Sequence, residues 1–500
     1  MSSGSNAEAR RAEALGDLRK CLELADEMGE LEVVNGADPH LEIGALYELS
    51  LEHPVPPVLV FDNIKGYPKG FRVAVNVRSS KALNPGYGLD LVRSYRKGKR
   101  KTSEPIPPVT VKTGPVLENV MEGAAVNALA FPTPHWHEGD GGRYIGTECM
   151  VIVKDPDSDW INAGCYRVQV SDKDTLVVFI EPGKHADLIR EKYWSRGKPC
   201  PMAISVGQAP ALGAAAAATL AEGASEFAAA GGRLGRPIEL IAGKATGVPF
   251  PADSEIVFEG FMPPPEAETR TEGPFGEWPG YYASNSRPEP VLKIKAIYHR
   301  NDPIITGAPP AKPTYPGTYF GTAGSALFRA ASLWDELEAA GVPGIQGVWK
   351  IPGGGSRFIN VIAIKQLHPG HAKMAGLVAV GCGSAAYLGR MVVIVDDDID
   401  ITDPAEVMWA LATRWDPKTQ TDIIDGCWTG YIDPMLPPER RESGDLTNSR
   451  IIMYAVRPYH WKDEFPKVNT VSKDYAAAIA KKWAAKLDFL NGPRGAKNGS

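Results

Sequence analysis

Two glutamates bracket a Gly-Pro-Phe-Gly turn in the stretch EGPFGEWPGY, residues 272–281. Glycine allows tight backbone geometry and close approach to a ligand, so such a loop can aim Glu272 and Glu277 at one point. Carboxylates brought together, or set against an aromatic ring, hold their protons to higher pH and act as acids near neutrality. On spacing alone, an exposed loop with two solvated glutamates is the more frequent outcome. A cation is offered by NAGCYR, residues 162–167. Arg167 stands among Tyr166, Val168 and Val170 in an apolar strand pattern, and a guanidinium there requires an anionic partner. A substrate carboxylate, a flavin phosphate or a structural Asp or Glu would each serve, the structural ion pair being at least as frequent. His185, in EPGKH at 181–185, reads alone as a histidine facing water at a helix start. As a metal ligand it needs oxygen or nitrogen partners from elsewhere, such as Asn162 and Glu239.

Other patterns carry less. His135 and His137 would share one face of a strand, but no cysteine or acid has matching spacing, and a proline-flanked loop is expected. The acidic run 396–400 follows a strand and suggests a turn capping the next helix more than a magnesium site. Glycines 353–355 form no phosphate loop; neither G-x-x-x-x-G-K-[ST] nor a G-x-G-x-x-G between strand and helix occurs, and no G-x-S-x-G elbow is present.

The elements that must position these residues follow from periodicity. A helix is expected over 7–29, then strands at 31–34 and 57–62, and an ordered proline-rich connection at 103–117. Residues 144–183 read as three strands of an antiparallel meander, followed by strands at 202–206, 238–242, 254–259 and 291–298 and helices at 211–230 and 324–340. Beyond 343 the pattern turns α/β, with strands at 345–350, 358–365 and 391–395, helices near 370–388 and 403–413, and a tail helix at 473–490 before a disordered end at 491–500. With 500 residues, the chain exceeds what one core serves. A net charge of −6 gives no support for nucleic-acid binding. No apolar run reaches membrane-spanning length, and the polar start is no secretory signal. Six scattered cysteines without a C-x-x-C pair fit reduced thiols in a cytoplasm.

In order along most of the chain, several segments resemble the UbiD-like family of decarboxylases, which act on ferulic, protocatechuic and vanillic acids among others. They are DPHLEI (38–43), FDNIKG (61–66), PTPHWHEGDGGRYIG (132–146), NAGCYR (162–167), PGKH (182–185), ADSEIVFEG (252–260), EGPFGEWPGY (272–281) and VDDDID (395–400). The resemblance implies an α+β chain: an N-terminal α/β region (1–120), a prenylated-FMN-binding split β-barrel (121–320), a long connecting helix (321–342), a C-terminal α/β oligomerisation domain (343–490) and a tail (491–500). It implies prenylated FMN made by a separate flavin prenyltransferase, with manganese or magnesium and potassium at its phosphate. By the same resemblance Asn162, His185 and Glu239 hold the divalent metal. Residues 162–167, that is Asn162, Ala163, Gly164, Cys165, Tyr166 and Arg167, together with Lys184, His185 and Glu239, contact the cofactor.

The implied reaction is reversible, non-oxidative exchange of CO2 on an aromatic or heteroaromatic acid, with Glu277 as proton donor and Arg167 and Glu272 completing the set. Homodimers or homohexamers are implied, with no nucleic acid or membrane as partner. This sequence departs from the family at Ala163, where a Trp occurs in ferulate-type relatives, at Lys184, where they have Gln, in the alanine run 214–218 near the potassium, and near 384, where a cofactor-contacting lysine has no counterpart. The competing expectations are an FMN-dependent redox protein and a non-catalytic subunit of a decarboxylase complex. Tyr281, Tyr282, Trp278, Pro309 and Pro310 are the candidate walls of the substrate pocket.

Overall fold

The computed structural model describes residues 2–80, 83, 88–99, 104–218, 220–283 and 285–487. The expected tail 491–500 lies outside them. Residues up to Ala455 form one unit; those from Val456 form a second, small one containing a 3-10 turn, Tyr459–Trp461, and the helix Lys473–Trp483.

A ten-stranded sheet forms the centre of the large unit. Its strand Cys149–Lys154 pairs with Cys200–Val206, which pairs with Ile256–Met262 and then with the long strand Arg287–His299. Near-continuous apolar sequence makes these strands buried on both faces: five of the six residues of Cys149–Lys154 are buried. The core that holds them is built on Trp136, Phe131, Tyr144, Phe258 and Phe61.

The expected three-strand meander over 144–183 is corrected here. The segment forms five strands: Arg143–Gly146, Cys149–Lys154, Ile161–Gly164, Arg167–Asp172 and Thr175–Phe179. They separate to opposite ends of the sheet, Arg143–Gly146 beside Arg167–Asp172 and Cys149–Lys154 beside Ile161–Gly164. Glycines mark the corners. A Cβ on Gly146 would lie 2.6 Å from Val168 Cβ, and one on Gly164 would lie 2.5 Å from the Tyr166 ring, so only glycine lets the chain turn there.

Around this sheet, Leu31–Asn35, Val58–Asp62, Arg72–Val75 and Ile304–Gly307 form a four-stranded layer. Glu239–Ala242 sits in a separate three-stranded sheet with Val109–Thr110 and Pro249–Pro251. The helix Pro316–Ala339 leads to a five-stranded sheet in the order Ile345–Lys350, Ile359–Ile364, Met391–Asp396, Thr447–Ala455 and Thr421–Trp428. Three helices expected as single runs are broken, among them 370–388, which divides into His371–Gly381 and Gly383–Ala386. Residues 7–29 divide at Asp17, whose side chain accepts from Lys20 N and caps a new helix. Residues 211–230 divide into Pro210–Ala216 and Glu226–Leu234, the second capped by Ser225. Among the described residues no helix is long and apolar enough to cross a membrane.

Candidate active site

The break between Ile161–Gly164 and Arg167–Asp172 sets Arg167 at the head of its strand, opposite Phe179. From there its guanidinium reaches both glutamates. Nε and Nη2 donate to Glu272 Oε1 and Oε2, each at 2.8 Å, and Nη1 donates to Glu277 Oε1 at 2.5 Å. This is the forked geometry in which arginine binds a carboxylate most strongly. Tyr144 OH donates to Glu272 Oε1 at 2.9 Å, so Glu272 is fully buried with three donors. The guanidinium also lies 4.2 Å above the Phe179 ring, and Phe275 stacks on Tyr144 at 4.2 Å.

The loop 272–281 reaches this geometry because its glycines allow it. Gly273 has φ +78°, and a Cβ on Gly141 would collide with the Gly273 carbonyl at 1.9 Å. Gly141 N donates to Pro274 O at 2.7 Å, and Ser286 Oγ to Gly273 O at 2.9 Å. A tight turn follows, closed by Glu277 N to Tyr281 O at 3.0 Å.

The two glutamates are therefore unequal. Burial pushes the Glu277 carboxyl up to about 7; the field of Arg167 opposes this and that of Glu272 adds to it. Burial acts against the Arg167 charge as well, but the two carboxylates outweigh it and its pKa is raised. The arrangement is a cation held by two carboxyl groups, one of which, Glu277, changes protonation near neutral pH. A carboxyl raised in this way can serve as a general acid.

A second cluster forms at the preceding strand, Ile161–Gly164. Asn162 is 2% exposed; its Nδ2 donates to Glu226 Oε1 at 2.9 Å, and Ala163 N donates to Glu226 Oε2 at 3.1 Å. Asn162 Oδ1 is buried without a hydrogen-bond partner among the described residues. Burial raises the Glu226 pKa, opposed by these donors and by the field of His185. His185 opens the helix His185–Trp194 and packs edge-on to Trp160, 5.0 Å between rings. An orphaned amide oxygen, a carboxylate and an imidazole are the donor set of a hard divalent cation.

Glu239 is not among them. It is exposed at the start of its strand in the three-stranded sheet, paired with Val109. The acid that the structure brings to Asn162 and His185 is Glu226. Between Asn162 and Arg167 the expected single strand breaks after Gly164, and Cys165 N donates to Ala216 O at 3.1 Å. Lys184 lies 5.6 Å from the Tyr387 ring.

Tyr144, Phe179, Phe275 and Glu226 went unread in the sequence. A usable hint for Glu226 was Ser225-Glu226 after the Gly223 turn, the start of a new helix. Of the weaker motifs, His135 lies in a loop, its Nε2 donating to Asp140 O at 3.0 Å. The acidic run does not cap the next helix as expected: Asp396 and Asp398 bind Arg414 at 3.1 and 2.7 Å, and Asp403 is the cap. A cleft beside the acid loop is lined by Trp278 and Pro309, with Tyr47, Asn76, Arg78 and Glu148; Arg78 Nε is 2.7 Å from Glu148 Oε1.

Three family models match this chain, those for the N-terminal, Rift-related and C-terminal domains of 3-octaprenyl-4-hydroxybenzoate carboxy-lyase, over residues 22–83, 108–313 and 324–455. Pyrrole-2-carboxylic acid decarboxylase of Pseudomonas aeruginosa is 35% identical over 428 residues, covering 80% of this chain and 83% of that protein. The UbiD-class enzyme HmfF from Pelotomaculum thermopropionicum, solved with FMN, has a TM-score of 0.78 at 29% identity, covering 92% of this chain and 98% of that one. An evolved dimeric form of HmfF, solved with prFMN, has a TM-score of 0.74 at 28% identity over the same 92% and 98%.

Proposed function

This chain belongs to the UbiD family of carboxy-lyases, and on that premise we propose that it removes CO2 reversibly, without net oxidation, from an aromatic or heteroaromatic acid with prenylated FMN bound. The observation that carries the residue assignment is the inequality of the two glutamates: Glu272 receives three donors, while Glu277 is held at one arginine nitrogen and keeps its proton up to about pH 7.

Cleaving the bond between an sp2 carbon and its carboxylate leaves an electron pair that water stabilises poorly, and the bound flavin supplies the electron sink. Arg167 orients the reacting carboxylate and holds Glu277 in place. Glu277 gives its proton to the carbon that CO2 has left, and in the reverse direction takes it back. Glu272 fixes the rotation of the guanidinium and is itself fixed by Tyr144. The cleft beside Trp278, walled by Pro309 and Tyr47, suits a flat ring.

We assign the divalent metal, manganese or magnesium, to Asn162, His185 and Glu226, where the orphaned Asn162 Oδ1 supports a cation. The alanine run 214–218 offers a potassium ion backbone carbonyls alone. On this reading the ten-stranded sheet is the split barrel that binds prenylated flavin, and a separate flavin prenyltransferase supplies that flavin. The five-stranded sheet is the oligomerisation domain of a homodimer or homohexamer. Its edge strand Thr421–Trp428 exposes Ile423 at 69% and Trp428 at 55%, an edge that suits a second copy.

The test is coexpression with a flavin prenyltransferase, followed by CO2 release from a panel of aromatic acids including pyrrole-2-carboxylate. A prenylated-flavin spectrum with CO2 release supports the reading. Plain FMN with NADH consumption and no CO2 overturns it.

A further inference from the structure

The charged side chains that the proposed reaction does not use converge on Tyr387. Its ring stands between two cations: Arg357 Cζ lies 5.0 Å from the centroid and Lys184 Nζ 5.6 Å from it. The ring is pinned in place, since a Cβ on Gly430 would come within 2.4 Å of it and the Trp428 ring packs 5.5 Å away. Two more cations stand behind. Arg329 projects from the helix Pro316–Ala339, and Lys350 ends the strand Ile345–Lys350.

These cations share too little negative charge. Among the described residues neither Arg329 nor Arg357 has a carboxylate or other hydrogen-bond acceptor as partner. Lys350 donates to Asn360 Oδ1 and to Ser384 O, the latter at 3.0 Å. Two carboxylates are near, and both are engaged: Glu336 accepts from Ser384 N at 3.1 Å and from Ser384 Oγ at 2.5 Å, and Glu181, whose field reaches Arg357, pairs with Lys184 at 3.7 Å. Burial and mutual repulsion lower Arg329 to about 9 and Lys350 to about 7. Guanidinium groups set away from water and from counter-charge are costly unless something anionic completes them.

Where the cluster lies suggests what that is. The loop carrying Arg357 packs on the acid loop: a Cβ on Gly355 would be 3.2 Å from the carbonyl oxygen of Trp278, the residue after Glu277. Tyr387 also meets Lys184, the residue before His185. The cations therefore lie next to the acid loop that carries Glu277 and next to Lys184, which precedes His185.

We propose that Arg329 and Arg357 form an anion subsite that grips a phosphate monoester or a carboxylate of a bound ligand through their unpaired guanidinium donors. Paired guanidinium forks match both groups geometrically. A flavin's phosphate and a substrate's carboxylate share this chemistry. The phosphate source rests on the flavin reading above; the carboxylate source does not.

The test uses the full chain purified without flavin. FMN and riboflavin are titrated by fluorescence quenching, and benzoate and benzamide by calorimetry, for the wild type, R357Q and R329Q. Each pair differs by one anionic group. The variants should lose at least about tenfold in affinity for FMN, for benzoate or for both, with riboflavin and benzamide unchanged, and R357K should recover part of the loss. A loss confined to FMN assigns the phosphate, and one confined to benzoate assigns the carboxylate. Affinities for both anions within about twofold of wild type overturn the proposal. So does an equal loss for the neutral twins, which marks a structural role. A wild type that binds neither flavin but still prefers benzoate to benzamide, with the preference lost in R357Q, would overturn the flavin reading and leave the subsite standing.

Discussion

Two clusters of charge lie on either side of the Trp278–Gly355 contact, and they are balanced differently. On one side Arg167 lies between Glu272 and Glu277, with every nitrogen of its fork matched by a carboxylate oxygen. On the other, the carboxylates near Arg329, Arg357 and Lys350 among the described residues are Glu336, already occupied by Ser384, and Glu181, already paired with Lys184. The first is complete as it stands, which is what a device for positioning a proton requires. The second lacks its counter-charge, which is what a binding site requires. The Asn162–His185–Glu226 cluster is the counterpart of opposite sign, a buried carboxylate and an orphaned oxygen lacking a cation.

Removing the centre of the balanced cluster should have the largest effect. R167M leaves two buried carboxylates without their cation, and breaking such a network costs about 3–5 kcal/mol. A lowered unfolding midpoint in denaturant and loss of all CO2 release are expected; a variant as stable and active as the wild type would erase the distinction between the two clusters. Next comes the metal cluster. E226Q should weaken manganese binding by at least about tenfold, measured by calorimetry, while E239Q leaves it unchanged. The opposite result would return the third ligand to Glu239.

The pH dependence sharpens the inequality of the glutamates. Burial lifts Glu277 to about 7, so the protonated acid is the form present below that pH. The decarboxylation rate should therefore fall about tenfold per pH unit above about 7. Stability follows the same sign. A carboxyl whose folded pKa exceeds its unfolded one contributes stability that is full below about 4.5 and lost as pH rises through about 7. A flat rate profile from pH 6 to 9 would contradict the assignment. The smallest effect belongs to Y144F, which removes one of three donors to Glu272 and should cost about 1 kcal/mol of stability in a thermal or denaturant melt, with activity retained.

How much of this was legible in the sequence differs by region. Arg167, Glu272 and Glu277 were named from it, yet spacing alone favoured two solvated glutamates, and only the ordered set of segments reversed that. Convergence of residues 105 and 110 positions apart leaves no trace in local periodicity. The strand breaks at Gly146 and Gly164 were missed because continuous apolar runs look alike whether straight or turned; what decides is the close approach that a missing Cβ permits. Glu226 was hidden inside an alanine-rich run that reads as one helix, whereas Glu239 stood at the start of a legible strand. The cation cluster was least legible, since Arg329, Lys350, Arg357 and Tyr387 lie on four separate elements and none has unusual neighbours in sequence.

The central claim is that Glu277 supplies the proton while the balanced network merely holds it in place. E277Q tests this most directly, because glutamine keeps the shape and an oxygen for Arg167 but has no acidic proton. With the protein coexpressed with a flavin prenyltransferase, the account predicts a bound-flavin spectrum like that of the wild type and CO2 release slower by about 10²–10⁴-fold. CO2 release at the wild-type rate from flavin-loaded E277Q would contradict it.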